Sequence, residues 1–222
     1  MKAAVIVFPG SNCDRDLTVA LETVGFEVSK IWHKDTELEK EIDVVAIPGG
    51  FSFGDYLRVG AIAANSPICK SIISHGERGG YIVGICNGFQ ILTETGLLPG
   101  ALLRNSGLKY ICKTVALKVE TTNTIFTQKY SLSNIINIPI AHHDGNYTAN
   151  INDIERMKDQ DLIAFRYCDN PNGSIEDIAG VLSSNRRVLG MMPHPERAVE
   201  KTHGNSDGMI FFKSLVASIA TY

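Results

Sequence analysis

The stretch that decides the fold is Tyr81–Gln90, with the sequence YIVGICNGFQ. Its largely apolar first half, Tyr81–Ile85, predicts a buried β-strand, and Asn87–Thr95 has the spacing of a helix. Cys86 lies at the junction, with one glycine two residues before it and another two residues after it. This pattern is typical of a nucleophile elbow with cysteine in place of serine, because a side chain at either glycine would clash in so tight a turn.

The position of Cys86 also predicts an activated thiol. The first N–H groups of a helix have no partner within it, and their partial positive charge favours thiolate over thiol. The same groups, beginning with the N–H of Asn87, can bind the oxygen of a tetrahedral intermediate. The alternative is a buried structural cysteine, which is common. The other four cysteines lack flanking glycines and are assigned to packing, although the first of them lies in a glycine-containing loop: Cys13, Cys69, Cys112 and Cys168.

Strands and helices alternate through the first half of the chain. The expected strands are Ala3–Phe8, Glu27–Ile31, Asp43–Ile47 and Tyr81–Ile85, and the expected helices are Asp14–Val24, Pro67–His75 and Asn87–Thr95. The first helix follows a capping residue, Asn12 or Asp14. Such alternation predicts a parallel sheet covered by helices on both faces.

The second half is richer in strands. The expected strands are Thr114–Glu120, Ile135–Ala141, Ile163–Tyr167, Ile178–Ser183 and Val188–Met192. Residues 184–186 are suited to turn the last two strands into a hairpin, and Asp207–Ile219 has helical spacing. The expected fold class is therefore α/β, with a mostly parallel central sheet and added antiparallel strands. Residues 1–222 are expected to form one domain, because no linker, repeat or low-complexity tract interrupts them.

His194 is the strongest candidate for the general acid that an attack on an amide requires. It follows an apolar strand and lies between two prolines, which restrict the backbone on both sides. Glu196 is two residues further on, so an extended backbone would point both side chains the same way and let the carboxylate orient the imidazole. His142 and His143, near Asp144, are a competing pair. The remaining histidines are interpreted as surface residues: His33, His75 and His203.

A glycine-rich loop supplies a second candidate for oxyanion binding. The strand Asp43–Ile47 ends in Pro48-Gly49-Gly50, and a long loop, Phe51–Arg58, follows it. Diglycine at the carboxyl end of a strand lets backbone N–H groups approach a ligand closely, so Gly50 is expected to donate to the oxyanion. The alternative is an ordinary turn. Phosphate binding is less favoured, because the sequence has neither G-x-G-x-x-G nor a P-loop lysine.

Composition argues against several other classes of protein. The 222 residues carry a net charge of −3 without a basic stripe, so nucleic-acid binding is not expected. No apolar stretch approaches the roughly 20 residues of a membrane helix, and the N-terminal apolar run is too short for a signal peptide. The five cysteines form no C-x-x-C pair, which argues against a disulfide framework or a zinc site. We therefore expect reduced thiols, a cytoplasmic protein and no metal.

Several segments together carry a resemblance to known proteins. PGGFSFGDYLR (48–58), GICNGFQ (84–90) and MPHPER (192–197) resemble the class I, or triad-type, glutamine amidotransferases. Within that class, the similarity is to the glutaminase subunits (subunit I) of phosphoribosylformylglycinamidine synthase, carried by FPGSNCDRD (8–16), GGFSFGDYLR (49–58), LLRNSGLKYICK (102–113) and IAHHDG (140–145). The first two of these four segments separate that family from the glutaminases of GMP, CTP, carbamoyl phosphate, anthranilate and histidine synthesis.

The resemblance implies a flavodoxin-like fold and a glutaminase mechanism. Cys86 would attack the side-chain amide of glutamine, His194 would protonate the leaving ammonia, and water would release glutamate from a thioester. Glu196 would orient His194. Oxyanion and substrate contacts are implied for the N–H groups of Gly50 and Asn87 and for the side chain of Gln90.

The resemblance also implies partners. They are a large synthetase subunit, which uses ATP, Mg and formylglycinamide ribonucleotide in purine biosynthesis, and a small bridging subunit. The loop Phe51–Arg58 has aromatic, acidic and basic residues and is expected to contact the synthetase or to line the site; the alternative is a structural loop that closes on its own side chains. No cofactor is expected in this chain. Three rival interpretations remain: an α/β-hydrolase-type esterase, whose acid would precede its histidine; a DJ-1/PfpI-type enzyme, which usually has histidine directly after the cysteine; and a non-enzymatic binding subunit.

Overall fold

The computed structural model describes residues 1–56 and 58–219, and its framework is one large β-sheet with a smaller one beside it. The large sheet contains β1 (Lys2–Val7), β2 (Glu27–Trp32), β3 (Val44–Ile47), β4 (Tyr81–Ile85), β6 (Ile111–Val119), β7 (Ile135–His142), β9 (Ile163–Tyr167), β10 (Ile178–Leu182) and β11 (Val188–Met191). The small sheet pairs β5 (Ala101–Leu103) with β8 (Asn146–Thr148). The α-helices are α1 (Asp14–Thr23), α2 (Ala61–Ala64), α3 (Ile68–Glu77), α4 (Asn87–Glu94), α5 (Ile151–Asp159) and α6 (Met209–Ile219).

The large sheet is divided into a parallel and an antiparallel half. Its strand order is β2-β1-β3-β4-β11-β10-β9-β6-β7, and all pairs from β2 to β11 are parallel. From β11 to β7 every pair is antiparallel. The order 2-1-3-4 is that of a flavodoxin-like sheet, which confirms the predicted α/β fold. The antiparallel strands extend it on one side only.

Burial explains why the central strands are so apolar. Every residue of β3, β10 and β11 is buried, as is all of β4 except Tyr81 at its start. A strand can be buried along its whole length only if both faces of the sheet are covered. One large apolar core therefore includes both halves of the sheet, with Phe89 of α4 stacked on Tyr147 of β8 at a centroid distance of 5.6 Å.

The hairpin expected near the end of the chain is present. Strands β10 and β11 pair antiparallel, with Leu182 opposite Leu189, and Arg186 N donates to Ser183 O at 2.8 Å within the connecting turn. Strand β11 then pairs parallel with β4, with Met191 opposite Ile85. This register brings the end of β11 level with the end of β4, where Cys86 follows.

Some elements differ from the sequence-based expectation. Helix α5 was not expected, because Ile154 and Met157 are its only buried residues and two apolar positions make a weak periodic signal. Its N-cap is Asn150, whose Oδ1 accepts from Asp153 N at 2.9 Å. The expected capping of α1 by Asn12 or Asp14 is wrong. The N-cap of α1 is Cys13, whose side chain makes no capping hydrogen bond.

The assignment of His33 to the surface is also wrong. Its side chain is buried, lies against the rings of Trp32 and Phe53, and forms a 3.3 Å contact between Nδ1 and Ser66 Oγ. Burial lowers the pKa of His33, with Lys34 adding to the effect. No helix among residues 1–56 and 58–219 is long and apolar enough to span a bilayer.

Candidate active site

A cleft of about 220 Å³ opens where the carboxyl ends of β1, β3, β4 and β11 meet. Ligands of open α/β sheets bind at this edge, near the point where the strand order reverses. Two of the three catalytic candidates, Cys86 and His194, line the cleft, together with residues from four loops. The lining residues are Asn12, Cys13, Gly50, Phe51, Asp55, Cys86, Gln90, Tyr110, Ala141, His142, His143, Asp144, His194 and Arg197.

The turn between β4 and α4 has the tight geometry predicted for a nucleophile elbow. Cys86 has φ 52° and ψ −104°, an unfavourable conformation for a residue with a side chain. An ideal Cβ on Gly84 would lie 2.6 Å from Gly88 O, and one on Gly88 would lie 2.1 Å from Ile47 O. The steric requirement for glycine at both positions is therefore confirmed. Cys86 N also donates to Met191 O at 2.7 Å, which ties the elbow to the neighbouring strand.

His194 and Glu196 form a buried pair. The distance from His194 Nδ1 to Glu196 Oε1 is 2.7 Å, and the two side chains are 2% and 0% exposed. The expected proximity is confirmed, but the expected extended backbone is wrong, because Pro195–Arg197 forms a short 3-10 helix. His194 itself is fixed by its N–H, which donates to Pro139 O at 2.8 Å.

The electrostatics of the cleft favour a protonated His194. Burial lowers the pKa of His194, but the charges of Glu196 and Cys86 raise it more, so the net pKa lies well above 6.5. His194 Nε2 and Glu196 Oε2 are buried and have no hydrogen-bond partner among the described residues. Since Nδ1 is bound to the carboxylate, Nε2 is the nitrogen left for chemistry in the cleft.

Cys86 is 4% exposed, and its sulfur contacts the opposite wall. The Sγ–H donates to Ala141 O at 3.7 Å, so the carboxyl end of β7 faces the thiol. Because β4 and β11 are neighbours in register, the sulfur and the imidazole reach the cleft from adjacent strand ends. The structure thus brings Cys86, His194 and Glu196 together.

Of the three residues predicted for oxyanion or substrate contacts, Gly50 lies in the loop after β3, and Asn87 and Gln90 lie on the first turn of α4. Gly50 lines the cleft with φ 145°, and a Cβ there would lie 2.7 Å from Gly10 O, so glycine is required. The Asn87 side chain is turned to the loop after Gly50, where Oδ1 accepts from Ser52 N at 3.1 Å. Asn87 Nδ2 donates to Gln90 Oε1 at 2.9 Å, and Gln90 Nε2 donates to Asp144 O at 2.6 Å.

One end of the cleft is acidic. Burial, followed by the negative charge of Asp144, raises the pKa of Asp55 to about 6. Asp144 is itself paired with Arg104, at 3.5 Å, and with His143, at 3.4 Å. Asp144 was not predicted as a site residue, but the loop that carries Asp55 was expected either to line the site or to contact the synthetase. Asp55 falls within the loop Phe51–Arg58, of which Leu57 lies outside the described residues.

Cys13 and Arg197 were also not predicted to belong to the site. Both line the cleft, and Arg197 Nη2 donates to Cys13 Sγ at 3.2 Å while its Nε contacts Asp16 at 3.2 Å. The position of Cys13, just beyond the end of β1, was the available signal, because the carboxyl ends of parallel strands share one edge.

Cys13, His194 and Glu196 place a sulfur, a nitrogen and an oxygen within 4.8 Å of one another. Such donors suit a soft divalent cation. However, His194 Nδ1 and Glu196 Oε1 already share a hydrogen bond, and a guanidinium already lies against the Cys13 sulfur. These contacts disfavour a second cation, since it would be repelled by Arg197.

Comparison with known proteins identifies a matching family model and close relatives of the whole chain. A family model described as a CobB/CobQ-like glutamine amidotransferase domain matches residues 1–209. The chain is 66% identical over 215 residues to phosphoribosylformylglycinamidine synthase subunit PurQ of Ruegeria sp. (strain TM1040), covering 97% of each. It is 66% identical over 220 residues to PurQ of Roseobacter denitrificans (strain ATCC 33942 / OCh 114), covering 99% of each.

Solved structures give the same result. The PurLQS structure from Thermotoga maritima contains a chain that matches with a TM-score of 0.91 and 48% identity, covering 98% of both chains. A putative GMP synthase component from Thermoplasma acidophilum matches with a TM-score of 0.72 but 19% identity, covering 100% of this chain and 95% of the other. The second match shows a shared fold only.

Proposed function

We infer the function from one premise: this chain belongs to the glutamine amidotransferase family of phosphoribosylformylglycinamidine synthase subunit PurQ. It is the glutaminase subunit of that enzyme, and it supplies ammonia for the amidation of formylglycinamide ribonucleotide in purine biosynthesis. The observation that carries the catalytic assignment is the convergence of Cys86 with the buried His194–Glu196 pair on one cleft.

We propose that Cys86 is the nucleophile. Its thiolate attacks the side-chain amide carbon of glutamine, and the carbonyl becomes a tetrahedral oxyanion. The N–H groups of Gly50 and Asn87 bind this oxyanion, supported by the position of Gly50 in the cleft and of Asn87 at the N-terminus of α4. Gln90 helps to hold the substrate, since its side chain reaches the cleft.

His194 is proposed as the general acid. Its raised pKa favours the imidazolium, which gives a proton to the departing amide nitrogen, so that the C–N bond breaks and ammonia leaves. The product is a γ-glutamyl thioester on Cys86. Neutral His194 then takes a proton from water, which attacks the thioester, releases glutamate and restores the thiolate. Glu196 keeps the imidazole in orientation throughout.

The chain works with other subunits of the same synthase, as its likeness to a chain of PurLQS supports. We propose that these are a large synthetase subunit, which consumes ATP with Mg, and a small bridging subunit. The chain itself would need no cofactor. Ammonia would travel to the synthetase by a sheltered path, which prevents its loss to water. Five free cysteines favour a reducing compartment, and we propose the cytoplasm.

The loop Phe51–Arg58 is proposed to contact the synthetase. Tyr56 is 75% exposed, and Phe51 is 50% exposed beside the cleft. Arg58 pairs with Glu94 at 2.6 Å, so its guanidinium is held by the chain itself. Tyr56→Ala is expected to weaken assembly in gel filtration with the synthetase while leaving the melting temperature unchanged. Assembly equal to that of the wild type would refute a contact through Tyr56.

The central test is glutamine hydrolysis by the purified chain, with and without the synthetase subunits. Cys86→Ala is expected to abolish glutamate release and the mass increase of a γ-glutamyl adduct. The matched control is Cys168→Ala, which removes an exposed thiol and should leave both signals unchanged. Glutamate release by Cys86→Ala at the wild-type rate would exclude Cys86 as the nucleophile.

A further inference from the structure

The wall of the cleft opposite Cys86 is formed by residues 141–145, which are the last two residues of β7 and the irregular segment 143–145 that follows them. It offers two backbone carbonyls to the site. Ala141 O accepts from Cys86 Sγ at 3.7 Å, and Asp144 O accepts from Gln90 Nε2 at 2.6 Å. Because the second contact is short and Gln90 is itself held by Asn87, the position of this wall fixes the orientation of the Gln90 amide.

Buried side chains rather than sheet hydrogen bonds hold the end of this segment. His142 is 3% exposed, and its Nδ1 lies 3.1 Å from Asn105 Oδ1, which also accepts from Gly145 N at 3.0 Å. Asn105 Nδ2 donates to Lys109 O at 2.9 Å and to His142 O at 3.0 Å. Asn105 therefore bonds to both ends of residues 142–145.

The two amides around His142 fix its tautomer. Since Asn105 Nδ2 donates to two carbonyls, its Oδ1 must face the ring, and His142 Nδ1 must carry the hydrogen. On the other side, Asn172 Nδ2 donates to Gly145 O at 2.8 Å and lies 3.5 Å from His142 Nε2. Asn172 Oδ1 accepts from Ser174, so this amide is also fixed. His142 Nε2 thus faces a donor and remains unprotonated.

Two further observations agree with a neutral, tightly packed ring. Burial, followed by the positive charge of His194, lowers the pKa of His142 to about 4. An ideal Cβ on Gly145 would lie 2.3 Å from His142 Cε1, so the ring packs directly on the Gly145 backbone. The electrostatics of the cleft therefore favour opposite states for its two buried histidines, a protonated His194 and a neutral His142.

We propose that His142 is a positioning residue of the glutaminase, a neutral imidazole that braces residues 141–145 and thereby aligns the Gln90 amide for glutamine. It acts on the substrate through the carbonyls of Ala141 and Asp144 and takes no part in proton transfer. This proposal rests on the glutaminase function proposed above. It predicts that loss of the Nδ1–H donor impairs recognition of glutamine more than the reactivity of the Cys86 thiol.

The test compares two alkylating reagents on the full chain, with labelling of Cys86 followed by mass spectrometry. Acivicin, a glutamine-like electrophile, reports on the substrate cleft, and iodoacetamide reports on the thiol alone. His142→Phe keeps the ring volume but removes both nitrogens. We expect its acivicin labelling to slow about tenfold more than its iodoacetamide labelling, since small displacements in a site cost one to two orders of magnitude.

His142→Asn provides the rescue, because its amide N–H falls near the position of Nδ1. We expect acivicin labelling within about threefold of the wild type, well inside the loss that a displaced site produces. If His142→Phe does not fold, His142→Gln is used instead, since its amide lies near Nε2 and cannot replace the donor to Asn105. His75→Phe, a substitution on α3 away from the cleft, controls for loss of a histidine and should not change the ratio of the two rates.

Equal slowing of both reagents in His142→Phe, or no slowing, would overturn the positioning role. The same holds if His142→Asn is as impaired as the phenylalanine variant. A failure of the glutaminase assignment looks different. In that case acivicin would not label Cys86 of the wild-type chain, even though iodoacetamide does.

Discussion

A methyl group on Gly88 would clash with β3, because α4 packs closely against that strand at this position. An ideal Cβ on Gly88 lies 2.1 Å from the carbonyl oxygen of Ile47 and 2.8 Å from its carbonyl carbon, whereas ordinary contact begins at 3.4 Å. Both atoms belong to the backbone of β3, so no flexible side chain can turn aside. In Gly88→Ala, the two elements must therefore separate by about 1 Å, a strain of the kind that overpacked cores show.

The size of the effect follows from this displacement. Overpacking of this kind costs about 1–3 kcal/mol of unfolding free energy, which lowers the melting temperature of a chain this long by roughly 2–12 °C. The displaced end of α4 carries Cys86 and Asn87, and β3 leads into Gly50. A misplacement of about 1 Å at a reacting centre can lower the rate about a hundredfold. We therefore expect the rate of glutamate release to fall by about two orders of magnitude in a variant that still folds.

The assay measures glutamate release with the synthetase present, alongside thermal unfolding of each variant. Gly107→Ala is the matched control, because Gly107 is exposed and a Cβ there meets no atom within 4 Å. It should change the unfolding free energy by less than about 0.5 kcal/mol and leave activity intact. If Gly88→Ala kept both the wild-type rate and the wild-type melting temperature, the steric account of the elbow would be wrong.

Three further predictions test charge and capping. Glu196→Gln removes the carboxylate that raises the pKa of His194, so the alkaline limb of the kcat/KM profile for glutamine should move to lower pH; an unmoved limb contradicts this. Asp55→Asn should stabilise the chain by about 1 kcal/mol at pH 7.5 in urea unfolding, after allowance for solvent screening. The gain should shrink as the pH falls from about 6 to 3.8, because in this range the folded carboxyl is mostly protonated while the unfolded one is still ionised; an undiminished gain below pH 3.8 would argue against the raised pKa. Asn150→Ala removes the N-cap of α5 and should cost about 1 kcal/mol in the same assay, whereas no loss would mean that the cap is not stabilising.

Local patterns were sufficient for the elbow and for most strands. Tyr81–Ile85 and Ile163–Tyr167 begin and end as predicted, because a continuous apolar run can be satisfied only inside a covered sheet. The glycines on either side of Cys86 are required because a Cβ on Gly84 would meet the backbone of Gly88, and a Cβ on Gly88 would meet the backbone of Ile47 on the neighbouring strand β3. Helix α5 escaped prediction because only two of its residues are buried, so its apolar face is too narrow to stand out.

The side chains around the triad illustrate the opposite case. Asp55, Cys13 and Arg197 line the cleft, yet no spacing in the sequence relates them to Cys86. The neutral state of His142 depends on Asn105 and Asn172, which reach it from separate loops. Local sequence patterns do not reveal such contacts, because the contacts form only when loops at one edge of the sheet converge.

By itself, the sequence determined the α/β class, the strand ends that carry the catalytic candidates, and the identities of Cys86, His194 and Glu196 as residues to examine. Those conclusions depend on short-range sterics and on hydrophobic periodicity, and both can be assessed within a single segment of the chain. Only the tertiary structure decided that a 3-10 helix brings Glu196 to His194, that Cys86 faces Ala141, and that the cleft has an acidic end. The physical reason is that burial and charge act through space, so the protonation of a side chain depends on neighbours that the fold, and not the chain order, supplies.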